Sequence, residues 1–352
     1  MAHHFASRLI LASLACITLS GCDRPPEPEP QVPAFSPGSA DEAQIGSQVD
    51  VLVRRQLDHV GVTNAGLRRA AEAFLAAPDA ENRLLLQTAW REAHLAFASL
   101  RVLPPFGADV ELLFEVDAWP MEPGFLDSLD GYPESGIVND PTLTIDAATI
   151  AGQHGITDPG EVSLGYHPLE YYAFVRPVTD FVSNPGGDDP ELDETVMRRR
   201  QLFSLVTEAL TDRIANLAIP GNAGREEPTT LLETILRTTR MAAQEGFQQA
   251  ALIVDADRGH AEFSQTSRET LAAQVQTLRV LLAPETPLAG VLQDLSPSTA
   301  ADLQETLARA EQALTEENPA EQELARLPLM MSAISHQLEE FSRLLQYPTA
   351  AP

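Results

Sequence analysis

Two residue types with useful side-chain chemistry are scarce or missing in this sequence. Of 352 residues only two are cysteine, at positions 16 and 22, and all 23 basic residues are arginine. Beyond residue 22 there is no thiol, which excludes an internal disulfide, a nucleophilic cysteine and a cysteine-ligated metal there. The lack of lysine excludes Schiff-base catalysis and a serine–lysine dyad.

Positive charge is also in short supply, with 23 basic against 51 acidic residues and a formal net charge of −28. Binding to phosphate backbones requires a concentrated basic surface, so no nucleic-acid partner is predicted. Familiar catalytic motifs are missing as well. The sequence has no HExxH, no G-x-S-x-G and no Gly-rich phosphate loop, so it lacks the usual signatures of zincins, serine hydrolases and nucleotide-binding enzymes.

Helical periodicity dominates what is present. Apolar residues recur at steps of three and four in four segments, a pattern typical of amphipathic helices; they are Leu86, Trp90, Ala93, Phe97, Leu100; Phe203, Val206, Leu210, Leu217; Leu271, Val275, Leu278, Leu282; and Leu327, Met331, Ile334, Leu338, Phe341, Leu345. Weaker helical patterns cover 41–59, 64–77, 229–254 and 299–315. Sustained period-two alternation is missing. The prediction is an all-α protein of two packed antiparallel helix bundles, with an irregular functional segment between them.

The N-terminus has the features of an export signal. Arg8 precedes the apolar run "LILASLACIT", which is short for a membrane span, and "LSGC" follows and resembles the bacterial lipobox. This predicts a lipoprotein signal peptide over 1–22, with cleavage before Cys22 and a lipid anchor on Cys22. The protein would be held at the periplasmic side of a bacterial membrane, inner or outer.

The predicted organisation continues with a Pro-rich acidic linker over 23–40. An N-terminal bundle over 41–185 and a C-terminal bundle over 186–348 follow. The stretch 104–190, which begins in the first bundle and runs just past its end, is rich in Pro, Gly, Asp and aromatic residues. An irregular stretch this long in a compact helical protein is usually either functional or disordered, and its aromatic and aliphatic residues argue against disorder.

The segment "GYHPLEYY" carries the clearest candidate pair in that region. Pro168 favours a helix start at or next to His167, which places His167 and Glu170 on one helical face. An imidazole and a carboxylate so placed can share a metal ion. The same spacing also suits a capping box, in which Glu170 reaches back to a backbone amide. The spacing alone leaves both interpretations open.

The other histidines give weaker signals. His94 lies off the apolar stripe of its helix and is a candidate neighbour of the site. His59, His154, His260 and His336 have no partner at ligand spacing and are predicted to be surface or capping residues.

Several blocks together resemble the imelysin-like family of bacterial envelope proteins over most of the chain beyond the signal. They are, in order, "AWREAHLAF", "VDAWPMEPGFLD", "PESGIVNDP", "SLGYHPLEYYAF", which contains the G-x-H-x-x-E signature, "RPVTDF", "RRRQLFSLV" and "AEFSQT". The resemblance implies two packed helical bundles with the signature segment between them. It also implies either an insulin-cleaving metallopeptidase or, more often, a protein associated with iron uptake or regulation.

Carried onto this sequence, the resemblance makes His167 and Glu170 the leading metal ligands and lets the backbone turn at Gly165. Asp117 falls where metal-binding relatives place an aspartate and is the third ligand candidate. Glu122 lies near an acidic turn of the family pattern.

Two further features concern the surroundings of this site. Relatives with clear metal sites carry glutamates late in the tryptophan-bearing helix, where this chain has Ala98 and Arg101. A guanidinium disfavours a nearby divalent cation, although Arg101 can instead bind a carboxylate or an anionic ligand. Arg176 and Asp180, from "RPVTDF", are expected to shape the rim.

The resulting functional prediction is a lipid-anchored protein that binds a divalent or ferric metal ion between two bundles. Iron is favoured and zinc is the second choice, with a role in iron uptake or sensing and an iron-transport partner protein. One alternative is a zinc metallopeptidase, in which another acid such as Glu122 activates water. The other is a metal-free ligand-binding or scaffold module.

Overall fold

The structure is a computed structural model that describes residues 39–104, 106, 109–186, 190–217, 230–256, 259–317 and 319–346. Within these ranges the chain forms thirteen α-helices and no β-strand, which confirms the all-α prediction. The predicted signal peptide, Cys22 and the predicted linker up to residue 38 lie outside the described residues. No helix in the described part of the chain is both long enough and apolar enough to span a membrane.

The long helices alternate with a run of short ones in the middle of the chain. Their bounds are α1 Ser39–Ala76, α2 Ala80–Arg101, α3 Val110–Asp117, α4 Pro123–Leu126, α5 Ala147–Gln153, α6 Tyr166–Phe174, α7 Pro190–Ala215, α8 Leu231–Ala256, α9 Ser267–Leu281, α10 Pro287–Leu295, α11 Pro297–Thr315, α12 Glu321–Ala325 and α13 Leu327–Gln346. Short 3₁₀ turns lie at Ile137–Asn139 and Val178–Phe181.

Local side chains fix where several helices begin. In each case an oxygen of the residue before the helix accepts a hydrogen bond from the backbone amide three residues later, which satisfies an amide that the helix leaves unpaired. These capping residues are Asp79, Asp109, Asp146, Thr286 and Ser296. Helix α6 begins at Tyr166, one residue from the predicted start, after Gly165.

The predicted apolar stripes form the core. Every stripe residue of α2, α9 and α13, with Leu282 just beyond α9, is buried. The α7 stripe is buried up to Leu210, and Leu217, beyond the helix, is half-buried. The stripes meet in pairs, since α1 packs along α2, and α8 packs along α13. Burial of such side chains contributes roughly 1.5–3 kcal/mol each.

Helix α1 is continuous where the sequence predicted two separate segments. It runs through Gly61 and Gly66, residues that weaken an isolated helix. Its buried face, with Val60, Leu67 and Phe74, continues across the glycines and packs against α2. Tertiary packing therefore outweighs the local propensity.

The two halves of the chain are in extensive contact. Helix α2 packs along α9, while α7 packs on α1 and α6 although the sequence places it in the C-terminal bundle. The proposed boundary at residue 186 therefore remains a sequence prediction. Three further segments contact α6: helix α2, the short helices α3 and α4, and the turn between α8 and α9.

Candidate metal centre

Four buried side chains converge from four separate parts of the chain. They are His94 on α2, Asp117 at the end of α3, His167 on α6 and His260 in the turn between α8 and α9, and none is more than 4% exposed. Oδ1 of Asp117 lies 3.0 Å from Nε2 of His94, 3.3 Å from Nε2 of His167 and 3.0 Å from Nε2 of His260. Candidate ligand atoms of all four residues lie within 4.8 Å of one another.

Helix α2 supplies one wall of this centre. His94 and Arg101 are seven residues apart, two helical turns, so they share a face. The ring of His94 stacks on Trp90 at 4.6 Å and on His260 at 5.5 Å, between ring centroids. Nε1 of Trp90 donates to the carbonyl of Tyr166 at 2.9 Å, which fixes α2 against the start of α6.

Gly165 allows the end of α3 to approach α6. Its φ is +90°, and a Cβ placed there would lie 2.4 Å from the carbonyl oxygen of Val116. A residue with a side chain would be strained by the dihedral angle and would also collide with that backbone. The glycine therefore brings Asp117, the residue after Val116, next to His167.

Glu170 orients His167 instead of capping its own helix. Oε2 of Glu170 lies 2.8 Å from Nδ1 of His167, and Oε1 accepts from the backbone N and the Oγ of Ser264, at 2.8 and 2.7 Å. Helix α6 has no side-chain cap, so the capping-box alternative was wrong. With Nδ1 bonded to Glu170, Nε2 of His167 points to the centre, as is usual for a metal-ligating histidine.

His260 is the residue that sequence reasoning missed. It was predicted to be a surface or capping residue, and this was wrong because it is 4% exposed and at the centre. Its backbone N donates to Oε1 of Gln249 at 2.7 Å, and the next amide donates to Oγ of Ser267. Its one sequence signal is its place directly before the block "AEFSQT".

Of the other histidines, His59 and His336 are exposed as predicted. His154 is half-buried, and its Nε2 lies 2.9 Å from the carbonyl oxygen of Phe114 in the last turn of α3, which is a capping contact.

Arg101 binds carboxylates of the protein itself. Its Nη1 donates to Oδ2 of Asp117 at 2.7 Å and lies 3.3 Å from Nε2 of His260. Its Nη2 donates to both oxygens of Glu245, at 2.8 and 2.9 Å. The guanidinium thus donates to Oδ2 of Asp117, whereas Oδ1 contacts the three histidines.

The centre is electrostatically balanced around one carboxylate. Burial opposes ionisation of Asp117, but His260, Arg101 and His94 outweigh it and hold its pKa well below the usual range. Burial also disfavours the imidazolium of His167, yet hydrogen bonds to Asp117 and Glu170 raise its pKa to about 9. For His260, burial prevails over the attraction of Asp117 and lowers the pKa.

The donor set and its spacing suit a transition-metal ion. Ligand atoms roughly 2.0–2.2 Å from a tetrahedral ion are about 3.3–3.6 Å from one another. Nε2 of His167 and Nε2 of His260 are 3.3 Å apart, and the three contacts to Asp117 span 3.0–3.3 Å. Three imidazoles and one carboxylate are ligands favoured by zinc, copper, nickel and iron. Four of the six donor pairs therefore already lie close together, and all candidate ligand atoms lie within 4.8 Å of one another, which fits such an ion.

The structure places the remaining candidates elsewhere. Glu122 is exposed and lies at the N-terminus of α4, outside the group. Arg176 and Asp180 pair with each other, and Arg176 also lies 3.9 Å from a carboxylate oxygen of Asp127. Asp127 in turn binds Arg199 of α7 at 2.5 Å. Arg176 and Asp180 thus belong to a separate ion-pair group that ties the irregular region to α7.

Comparison with known proteins gives a consistent family assignment. The Imelysin family model matches residues 54–328. No curated protein matches the sequence significantly.

Among the solved structures that are similar, two illustrate the likeness. One, from Parabacteroides distasonis and described as an iron-regulated protein A precursor, has 12% identity and a TM-score of 0.57, over 90% of this chain and 97% of its own. The other, an imelysin-like protein from Psychrobacter arcticum, has 14% identity and a TM-score of 0.54, over 87% and 95%. At these identities the structures show the fold, whereas the family model covers most of the sequence. The chain therefore belongs to the imelysin family.

Proposed function

We propose that this protein binds one divalent first-row transition-metal ion through His94, Asp117, His167 and His260. The observation that carries the proposal is the convergence of three Nε2 atoms on one oxygen of Asp117 inside the core. Burying four ionisable groups is costly unless they are paired or hold an ion. The nitrogen-rich donor set favours Fe²⁺ or Zn²⁺ over Ca²⁺ and Mg²⁺.

A binding role is better supported than peptidase catalysis. A catalytic zinc site usually has three protein ligands, an open position and a free base. Here four protein donors surround one point, Glu170 is engaged by His167 and Ser264, and Glu245 is engaged by Arg101. Glu122, the base considered for a peptidase, is exposed and outside the group.

The biological setting is proposed from the sequence and from the relatives. The lipobox-like "LSGC" supports a lipid anchor on Cys22 at the periplasmic side of a bacterial membrane. The similar structure described as an iron-regulated protein supports a role in iron uptake or sensing. An iron-transport partner is proposed from the resemblance of the sequence alone. Detergent-phase partition of the chain and of Cys22→Ala tests the anchor, because only the unchanged chain should enter the detergent phase.

Metal analysis tests the central proposal directly. Protein purified without a polyhistidine tag and then dialysed against Fe²⁺ or Zn²⁺ should retain one ion per chain. The double variant His94→Ala/His167→Ala should retain none, whereas His59→Ala/His336→Ala, which changes two exposed histidines, should bind like the unchanged chain. Equal metal content in all three proteins would refute the proposal.

A further inference from the structure

The donor residues are enclosed, so an ion needs a route to reach them. Their exposed fractions are 0–4%. On one side, His94 packs against Trp90 and Tyr166, and Phe97 packs behind Tyr166; all three aromatic side chains are fully buried. On another, Glu170 and Ser264 seal the space behind His167. An ion cannot pass through packed aromatic rings or satisfied hydrogen bonds without local opening.

A cavity of about 240 Å³ lies on another side, at Arg101. Its outer wall includes Met241 and Gln244, which are exposed, and its inner wall includes Gln274, which is 5% exposed. Glu245, whose side chain is 35% exposed, also lines it. The cavity therefore reaches from the surface of α8 to the guanidinium of Arg101.

Arg101 is the physical link between this cavity and the centre. One of its terminal nitrogens binds Asp117 and the other binds Glu245. A cation arriving in the cavity meets the carboxylate of Glu245 first, with glutamine side chains beside it. Carboxylate and amide oxygens are suitable transient ligands for a partly hydrated divalent ion.

We propose that Glu245 is the outer binding site on the route to the metal centre, and that the Arg101–Glu245 ion pair controls passage through the cavity. This inference rests on the proposed function. Glu245 attracts the cation and at the same time neutralises the guanidinium, which would otherwise repel it. Movement of Arg101 away from Asp117 then opens the way to Oδ1 and the three imidazoles.

Two variants separate this route from the centre itself. Ala242→Trp places a large ring at the wall of the cavity, which none of the four donor residues lines. Glu245→Gln keeps the side-chain shape and removes the charge. Their controls are Ala301→Trp and Glu305→Gln, at exposed positions of α11. Stopped-flow absorbance follows binding of Co²⁺, transfer to excess EDTA gives the release rate, and equilibrium titration gives Kd.

Ala242→Trp should slow both binding and release by about tenfold or more, a rise of roughly 1.4 kcal/mol in each barrier, while Kd stays the same. Glu245→Gln should slow binding and make its rate less sensitive to salt, because the steering charge is lost. Control variants should keep the unchanged rates.

Rates in Ala242→Trp equal to those of its control would show that the ion uses another route. A change in Kd without a change in the binding rate would also overturn the inference, since Ala242 would then act on the bound state. If the unchanged chain binds no Co²⁺, Fe²⁺ or Zn²⁺ at equilibrium, the proposed function itself is wrong.

Discussion

Nδ1 of His167 lies 2.8 Å from Oε2 of Glu170, one helical turn further along α6. This contact assigns Glu170 to a supporting role, because its other oxygen is held by Ser264 and neither oxygen belongs to the converging group. The signature pair thus places one residue at the centre and the other directly behind it. Glu170 was predicted to be a metal ligand, but its contacts are those of a carboxylate that orients His167.

Replacing Glu170 should weaken metal binding without abolishing it. In Glu170→Gln the side chain keeps its volume but loses the charge that fixes the imidazole of His167. Affinity for Zn²⁺ measured by chelator competition should fall about 10–100-fold, the range typical of groups that orient a ligand. The exposed Glu305→Gln serves as the control. An unchanged affinity would mean that the contact does not orient a metal ligand.

Replacing His260 should have a larger effect. His260→Ala removes a donor nitrogen 3.0 Å from Asp117, so affinity for Zn²⁺ should fall by more than about 100-fold, beyond the range of an orienting residue. His336→Ala, which changes an exposed histidine, should bind like the unchanged chain. Circular dichroism establishes that both variants are folded. Full affinity in folded His260→Ala would exclude this residue from the centre.

The close approach at Gly165 predicts a strong effect on stability. Gly165→Ala places a methyl group 2.4 Å from the carbonyl of Val116 at a φ of +90°. It should lower the free energy of unfolding by about 2 kcal/mol or more, measured by urea denaturation with EDTA present. The comparison is Gly152→Ala in α5, where nothing lies within 4 Å. That variant should gain up to about 1 kcal/mol, and equal effects at both sites would contradict the proposed packing.

His154 predicts a pH dependence that is separate from the metal centre. Its Nε2 donates to the carbonyl of Phe114 at 2.9 Å, and its Nδ1 accepts from the amides of Ser163 and Leu164 at 3.2 Å. Only the neutral ring can do both. Burial lowers the pKa of His154 and prevails over the opposing effects of the Phe114 carbonyl and the Glu115 carboxylate.

The direction of this pH dependence follows from the linkage between proton binding and folding. Because the folded pKa lies below the unfolded value of about 6.5, the unfolded chain binds the proton more readily. The stabilisation is complete above about pH 6.5 and is lost as the pH falls through the folded pKa. Free energies of unfolding measured with EDTA from about pH 7.5 to about pH 5 should therefore fall less steeply for His154→Gln than for the unchanged chain. His336→Gln, at an exposed position, should keep the original slope.

The sequence determined the helices and one part of the centre. Apolar stripes with a period near 3.6 identified the buried faces of α2, α9 and α13, because the period of an α-helix is a local property. The G-x-H-x-x-E segment identified His167 for the same reason, since residues three apart meet on one turn. Asp117 was found only through the family resemblance, because nothing in its own surroundings marks a ligand.

The tertiary structure alone decided how the centre is completed. His260 lies 93 residues beyond His167 in the chain, yet their Nε2 atoms are 3.3 Å apart. No spacing rule relates them, because the distance depends on how α8 and α9 pack against α6 and α2. Arg101 is a similar case. From the sequence, its positive charge disfavours a metal ion nearby. Only the fold shows that the carboxylates of Asp117 and Glu245 neutralise this charge. Helical periodicity is a property of the local sequence, whereas contacts between distant side chains arise only when packed helices bring them together.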